Sequence, residues 1–279
     1  MPFPNSKLSP DDILKAVYRA ADAILEVYNQ KEIQSEKKHD DSPVTIADIR
    51  AHHIIQDTLV ISGWPILSEE GEHADYNIRK DWDYFWVVDP LDGTKEFIKG
   101  NGEFTINIAL VKGDTPVWGV VYSPVLDWLY VGGPESGSLK SSKRVSWEEL
   151  KEKGSILPGE LPENLTVIAS RSHGSPSTEA LLKKWENKYG EIDRISMGSS
   201  LKICLVAEGS AHAYPRAALT MEWDTAAGHA IALGANCHMF QIEESNQELT
   251  WSKPLVYNKK NLLNPFFIVC GAKYLCDNA

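Results

Sequence analysis

Apolar residues at helical spacing open the chain. Ile13, Val17, Ala21, Ile24 and Tyr28 recur every three or four positions, the period that gathers side chains on one helix face. Ser9-Pro10-Asp11-Asp12 precedes them with a capping hydroxyl, a proline at the first helical position and acids facing the helix dipole. The pattern predicts an amphipathic helix of about five turns. Residues 30–43 are polar and charged and predict a connection, after which a second helix should run from about Ile46 to Val60.

Phe85-Trp86-Val87-Val88 is an apolar run of β-formers that stops at Asp89, as a buried strand does where it delivers polar groups to its end. Thr105 to Val111 and Val117 to Tyr122 flank Lys112-Gly113-Asp114-Thr115 and predict an antiparallel hairpin, with a further strand at Leu129 to Gly132. Glu135 to Asn164 is polar, punctuated by Gly and Pro, and shows no clear period. It separates two halves, residues 1–160 and 161–279. Beyond it strands are expected at Leu165 to Ala169, Ile192 to Ile195, Ala211 to Tyr214 and Phe266 to Cys270. Between them fall helices at Ser177 to Tyr189, at Ser200 to Glu208 with Gly209 in the C′ position, and at Asp224 to Leu233 ended by Gly234. The expected class is α/β, an α+β half followed by a layered α/β half.

With 43% apolar and 24% charged residues, the chain has the composition of a protein that buries a core. Its 28 Lys and Arg against 39 Asp and Glu leave a net charge of −11. That excess speaks against a nucleic-acid partner or a basic membrane anchor, because polyphosphate surfaces are held by clustered cations, yet it leaves room for one phosphate in a local pocket. Cys204, Cys237, Cys270 and Cys276 are scattered and form no CxxC pair, which argues for buried thiols over a disulfide scaffold or a zinc site. Met1 to Asn5 carry no basic stretch followed by an apolar one, and no run approaches the ~20 apolar residues of a membrane span. A cytoplasmic location is expected; peripheral attachment to the cytoplasmic face of the inner membrane and the oligomeric state stay open.

The densest chemical signal is Asp89-Pro90-Leu91-Asp92-Gly93-Thr94, two carboxylates three residues apart directly after a buried strand. Pro90 fixes one backbone angle and Gly93 permits a tight turn, so both acids could converge on one point, an arrangement suited to a hard cation such as Mg²⁺. An ordinary Asp-Gly turn with solvated acids fits the same letters. The spacing is not the DxD of an aspartyl-nucleophile phosphatase, and the alternating acids of an EF-hand are absent. Ser199 to Lys202 matches SxxK without its companion motifs, a coincidence common in a helix's first turn. Ser68-Glu69-Glu70 follows a second apolar run; Thr45 and Asp48 have the spacing of a capping box; Asp224 sits where an acid caps a helix.

Taken together, Val44-Thr45-Ile46-Ala47-Asp48, Leu67-Ser68-Glu69-Glu70, Asp89 to Thr94 and Trp223-Asp224-Thr225-Ala226-Ala227-Gly228 resemble, in the same order, the motifs of the lithium-sensitive, Mg²⁺-dependent phosphatase family that includes inositol monophosphatase. Lys95-Glu96-Phe97-Ile98, Ser170 to His173, Gly198 to Lys202 and Tyr214-Pro215-Arg216 are most similar to its 3′(2′),5′-bisphosphate nucleotidase branch. The resemblance implies a layered αβαβα sandwich related to fructose-1,6-bisphosphatase. It implies two or more Mg²⁺, one held by Glu69, Asp89 and the Leu91 carbonyl and another by Asp89, Asp92 and Asp224. Thr94, hydrogen-bonded to Asp48, would activate the attacking water. The implied substrate is adenosine 3′,5′-bisphosphate, cleaved to AMP and phosphate by in-line attack, with inhibition by Li⁺. Glu69, Leu91, Asp92, Gly93, Thr94 and Asp224 would surround the scissile phosphate; Lys202 and Arg216 would meet the second phosphate, and His173 and Gly198 the nucleoside. An inositol monophosphatase, or another small phosphomonoesterase with the same metal site, is the alternative reading. Trp223 is expected to pack in the core.

Overall fold

The computed structural model describes residues 3–4, 6–29, 35–37, 43–169, 175–245, 248–271 and 275. The first helix, α1 (Pro10–Tyr28), starts as the sequence dictates: the Ser9 hydroxyl accepts from the Asp12 amide, and the Asp12 carboxylate reaches back to the Ser9 amide. The strands β1 (Ser35–Lys37) and β2 (Pro43–Thr45) pair antiparallel within the stretch expected to be only a connection; the rest of that stretch lies outside the described residues. The helix α2 (Ile46–Leu59) follows, tightened by a 3₁₀ turn at Val60–Ser62. The cap read at Thr45 rests on a side chain outside those described.

Seven strands make the first sheet: β3 (Ile66–Ser68), β4 (Tyr84–Asp92), β5 (Thr105–Lys112), β6 (Thr115–Ser123), β7 (Trp128–Gly133), β8 (Gly137–Ser141) and β9 (Ser155–Leu157), each bonded to the next. β3 and β4 run parallel, separated in sequence by the single turn α3 (Tyr76–Arg79); the other neighbours are antiparallel. β4 is longer than its apolar run, because Asp89 and Asp92 stay paired to β5 across a register irregularity. From its end the chain enters α4 (Thr94–Lys99). The stretch without a clear period holds β8, α5 (Trp147–Lys153) and β9, all built onto the first sheet. Short, half-exposed strands at or next to the sheet edge alternate too weakly to be read.

The second sheet takes β10 (Leu165–Ile168), β11 (Ile192–Ile195), β12 (Ala213–Arg216), β13 (His238–Ser245), β14 (Glu248–Pro254) and β15 (Phe267–Cys270) in the order β11-β10-β12-β15-β13-β14. Its helices are α6 (Pro176–Tyr189), α7 (Leu201–Ala207) and α8 (Ala226–Gly234). The expected α8 began at Asp224 and stopped before Gly234. In the structure Asp224 lies in the preceding turn, and Gly234 belongs to the helix, where a Cβ would come within 2.7 Å of the Gly133 carbonyl. The β13–β14 hairpin is an element the alternating pattern did not predict.

Strand alternation assigns the layers. Trp86 and Val88 of β4 face α1 and α2, whereas Phe85 and Val87 face a central cluster with Leu201 to Ala207 of α7, Ile231 of α8, and Tyr214, Met239 and Val269 of the second sheet. Val167, Ala213 and Ile268, on that sheet's far side, pack with Leu181, Leu182 and Trp185 of α6. The sequence of layers is therefore α1/α2, sheet, α7/α8, sheet, α6, an αβαβα sandwich. Trp223 is buried in the central cluster, as are the Cys204 and Cys237 side chains; Cys270 is buried on the far side. No helix among the described residues is long and apolar enough to cross a membrane.

α8 lies close against β6: a Cβ on Gly119 would stand 2.5 Å from the Ala227 carbonyl oxygen. Gly119→Ala is expected to cost roughly 1–3 kcal/mol, because the backbone of a packed layer must move. A lower urea midpoint at unchanged slope would show it, and an unchanged midpoint would refute the close approach.

Candidate active site

Parallel pairing of β3 with β4 sets Ser68 opposite Val88, so the next residues, Glu69 just past the end of β3 and Asp89 still within β4, lie side by side. The Glu69 amide continues the ladder to the Val88 carbonyl at 3.1 Å. Asp224 comes from the turn before α8, its Oδ2 accepting from the Met221 amide at 2.8 Å, which turns the carboxylate away from the helix it had been expected to cap. One oxygen from each of Glu69, Asp89 and Asp224 lies within 4.8 Å of the others.

Asp89 is 1% exposed, and its Oδ1 accepts from the Leu91 amide at 3.0 Å. Burial, then repulsion from Glu69, Asp92, Asp224 and Asp48, drives its carboxyl well above the usual range. Burial and the nearby Asp92 do the same to Asp224. All five acids singled out in the sequence thus share one electrostatic site, although Asp48 comes from the first turn of α2. Oxygen-only donors that repel one another and are partly withdrawn from water fit a hard divalent cation, whose charge removes the penalty they otherwise carry.

Asp92 is held differently. Its Oδ2 accepts from the Ser200 amide at 2.6 Å and from the Ser200 hydroxyl at 2.9 Å, with the Asn107 amide group at 3.5 Å. Asn107 also donates to Ser200 Oγ at 2.9 Å, and that hydroxyl lies 2.7 Å from the Asp224 carbonyl. Ser200 and Asn107 thereby join the two halves behind the acids. Neither was singled out for this role; the Gly198 to Lys202 motif contained Ser200, but no local spacing links it to Asp92.

A cleft of about 540 Å³ opens beside the acids and is lined by Asp92, Gly93, Gly198, Lys202, Arg216 and Asp224, among others. Gly93 caps α4 in the left-handed region (φ 93°), and Thr94 is the first residue of that helix. Gly198 is irreplaceable by a larger residue without movement, since a Cβ there would approach the Glu103 carbonyl to 2.6 Å. Lys202 rises from α7 with its Nζ 5.9 Å from the Tyr214 ring centre; burial pulls its ammonium down to about 8 despite the nearby Asp92. Arg216 ends β12, and its buried Nε has no hydrogen-bond partner. Leu91 is buried in β4. His173 lies outside the described residues. The cleft can therefore offer two cationic side chains to an anion whose other end reaches the acids.

Comparison with known proteins gives a consistent picture. The family model described as the inositol monophosphatase family matches residues 10–266. The chain is 41% identical to the 3′(2′),5′-bisphosphate nucleotidase CysQ of Shigella flexneri over 93% of its own length and 98% of the relative's. It is equally similar, at 41% over 93% and 98%, to the protein of the same description from Escherichia coli K12. Among solved structures, CysQ from Bacteroides thetaiotaomicron superposes with a TM-score of 0.82 at 45% identity, covering 94% of this chain and 97% of that one.

Proposed function

The chain belongs to the inositol monophosphatase family, and on that premise we propose how its acidic cleft works. It is a 3′(2′),5′-bisphosphate nucleotidase, a phosphatase that hydrolyses the 3′-phosphate of adenosine 3′,5′-bisphosphate to AMP and phosphate. The observation that carries the reading is one cleft with converging carboxylates at one end and Lys202 and Arg216 in its wall. A single-phosphate substrate would leave those two partly buried cations without an anion between them, which costs more than a fully solvated charge would.

Glu69, Asp89 and the Leu91 carbonyl would hold one Mg²⁺, and Asp89, Asp92 and Asp224 a second. Bound there, the two ions supply the positive charge that stabilises the attacking and leaving oxygens of an in-line displacement. The protein's own groups do the rest. Asp48 and Thr94 form the dyad that takes the proton of the attacking water, Asp48 acting through the threonine hydroxyl. The amides of Gly93 and Thr94, in the turn that enters α4, would cradle the scissile phosphate. Ser200 and Asn107 keep Asp92 from swinging out of line. Lys202 and Arg216 take the second phosphate, and Gly198 and His173 the nucleoside.

Rates on adenosine 3′,5′-bisphosphate, inositol 1-phosphate and AMP, each with and without Mg²⁺, test the reading. The bisphosphate is expected to be preferred by roughly 10²-fold in kcat/KM, the worth of about 2.7 kcal/mol from pairing partly buried charge. Activity should vanish with chelator and fall with millimolar Li⁺. A preference for inositol 1-phosphate would overturn the substrate assignment.

A further inference from the structure

Beneath the turn that carries Asp224 lies a buried ion pair that the reaction as drawn does not use. Glu222 is fully buried (0% exposed), and a carboxylate there is tolerable only if its oxygens are well supplied with donors. They are: Oε1 accepts from the Lys259 amide at 2.7 Å and the Lys259 ammonium at 2.8 Å, and Oε2 from the Asn258 amide at 2.8 Å. The ammonium also donates to Asn264 Oδ1 at 3.0 Å, and the Asn264 amide group donates to the Met221 carbonyl at 2.7 Å and to Thr225 Oγ1 at 3.0 Å. Residues 221 to 225 are thus gripped on both sides of Asp224 by residues 258 to 264.

The same segment is tied to the loop that follows Glu69. The guanidinium of Arg79, 2% exposed, donates to Asn258 Oδ1 at 2.7 Å, to the Lys259 carbonyl at 3.1 Å and, within its own loop, to the Ala74 carbonyl at 3.0 Å. Asn258 returns a bond from its amide group to the Arg79 carbonyl at 2.7 Å. Nearer the site, the His73 ring packs 5.2 Å from Trp223, and His73 Nε2 lies 2.9 Å from the carbonyl of Ser68, the residue before Glu69. Glu69 and Asp224, about 155 positions apart in sequence, therefore hang from one rigid polar frame.

We propose that Glu222, Lys259, Asn258 and Arg79 are positioning residues that fix Asp224 against Glu69 and so set the affinity of the carboxylate site for Mg²⁺. The inference rests on the metal reading given above. Packing alone does not require this arrangement, since an apolar pair of similar volume is often as stable as a buried ion pair. What the ion pair adds is direction, with fixed donors on both oxygens of a carboxylate two residues from a metal ligand, and such outer contacts typically tune metal affinity by 10–100-fold.

Calorimetric titration of Mg²⁺ into the metal-free protein reads this without any turnover. Glu222→Gln is expected to bind Mg²⁺ roughly 10–100-fold more weakly. At saturating Mg²⁺ its KM for the bisphosphate should stay within about twofold of the parent's, since the substrate contacts are untouched. Lys140→Met, which breaks the partly buried 2.5 Å Lys140–Glu208 pair elsewhere in the fold, should lower the melting temperature and leave Mg²⁺ affinity alone. If Glu222→Gln does not fold, Asn258→Gly takes its place; it suits the left-handed backbone there (φ 59°) and removes only the bridge to Arg79. Unchanged Mg²⁺ affinity in the folded variant, or an equal loss in Lys140→Met, overturns the positioning role. A parent protein that binds no Mg²⁺ overturns the metal reading on which it stands.

Discussion

Asp89→Asn is expected to lower kcat/KM by roughly 10³-fold, yet to make the metal-free protein more stable than the parent. The first effect follows from losing a carboxylate proposed to touch both ions, whose stabilisation of transition-state charge is worth several kcal/mol at about 1.36 kcal/mol per factor of ten. The second follows from the site's electrostatics. Asp89 is buried among Glu69, Asp92, Asp224 and Asp48, and its carboxyl is raised well above the usual range. Below the unfolded value of about 3.9, the folded and unfolded chains are both protonated there and its contribution to stability is whole. As pH climbs toward the raised folded value, the unfolded chain releases its proton first, so stability falls with pH. Asparagine carries no charge, keeps an oxygen for the Leu91 amide and escapes that fall.

Melting curves in chelator between pH 4 and 9 should therefore diverge, with the variant above the parent at neutral pH. Mg²⁺ should reverse the order, because at a hundred times its dissociation constant a ligand adds about 2.7 kcal/mol to the state that binds it, on the order of 5–10 °C for a chain of this size. A variant less stable than the parent in chelator at pH 7.5 would show that the acids do not repel as argued.

Local patterns were legible wherever one element decides its own fate. The Ser9 cap and its apolar stripe, the β5–β6 hairpin and Gly209 behind α7 (φ 89°) each depend on residues within a few positions of one another. Where a neighbour distant in sequence decides, the pattern gave little. Gly234 read as a stop because glycine ends helices, but here it serves a close approach to Gly133 across the layers. The β13–β14 hairpin mixes faces, with Ile242, Leu249 and Trp251 buried beside exposed Glu243 and Glu244, and so resembles a polar connection. The site divides in the same way. Its acids were visible because each follows an apolar run or sits in a compact motif. Ser200, Asn107 and the Glu222 frame were not, since their meaning lies in partners 36 to 179 positions away, joined only when the sheets stack.

Removing either cation from the cleft wall should separate bisphosphates from single phosphates. Lys202→Ala and Arg216→Ala are each expected to reduce kcat/KM for adenosine 3′,5′-bisphosphate by roughly 10²-fold, the cost of removing one charge from a partly buried pair that faces the second phosphate, and to change the rate on inositol 1-phosphate by less than about threefold. The two differ in pH dependence. Burial brings the Lys202 ammonium down to about 8, whereas the guanidinium of an arginine stays charged throughout the working range. A phosphate monoester is already dianionic above its second pKa of about 6, so the substrate's charge does not change between pH 7 and 9. As pH rises through 8 the lysine loses the proton that pairs with the second phosphate, and KM for the bisphosphate should climb while that for inositol 1-phosphate stays level. In Lys202→Arg the climb should disappear. A KM that rises equally for both substrates would place the titrating group at the acids instead, and would remove Lys202 from the second phosphate. The contrast also bears on the net charge of −11, because an acidic chain holds a polyanion through local positive charge, here Lys202 and Arg216 at one end of the cleft and the proposed Mg²⁺ sites at the other.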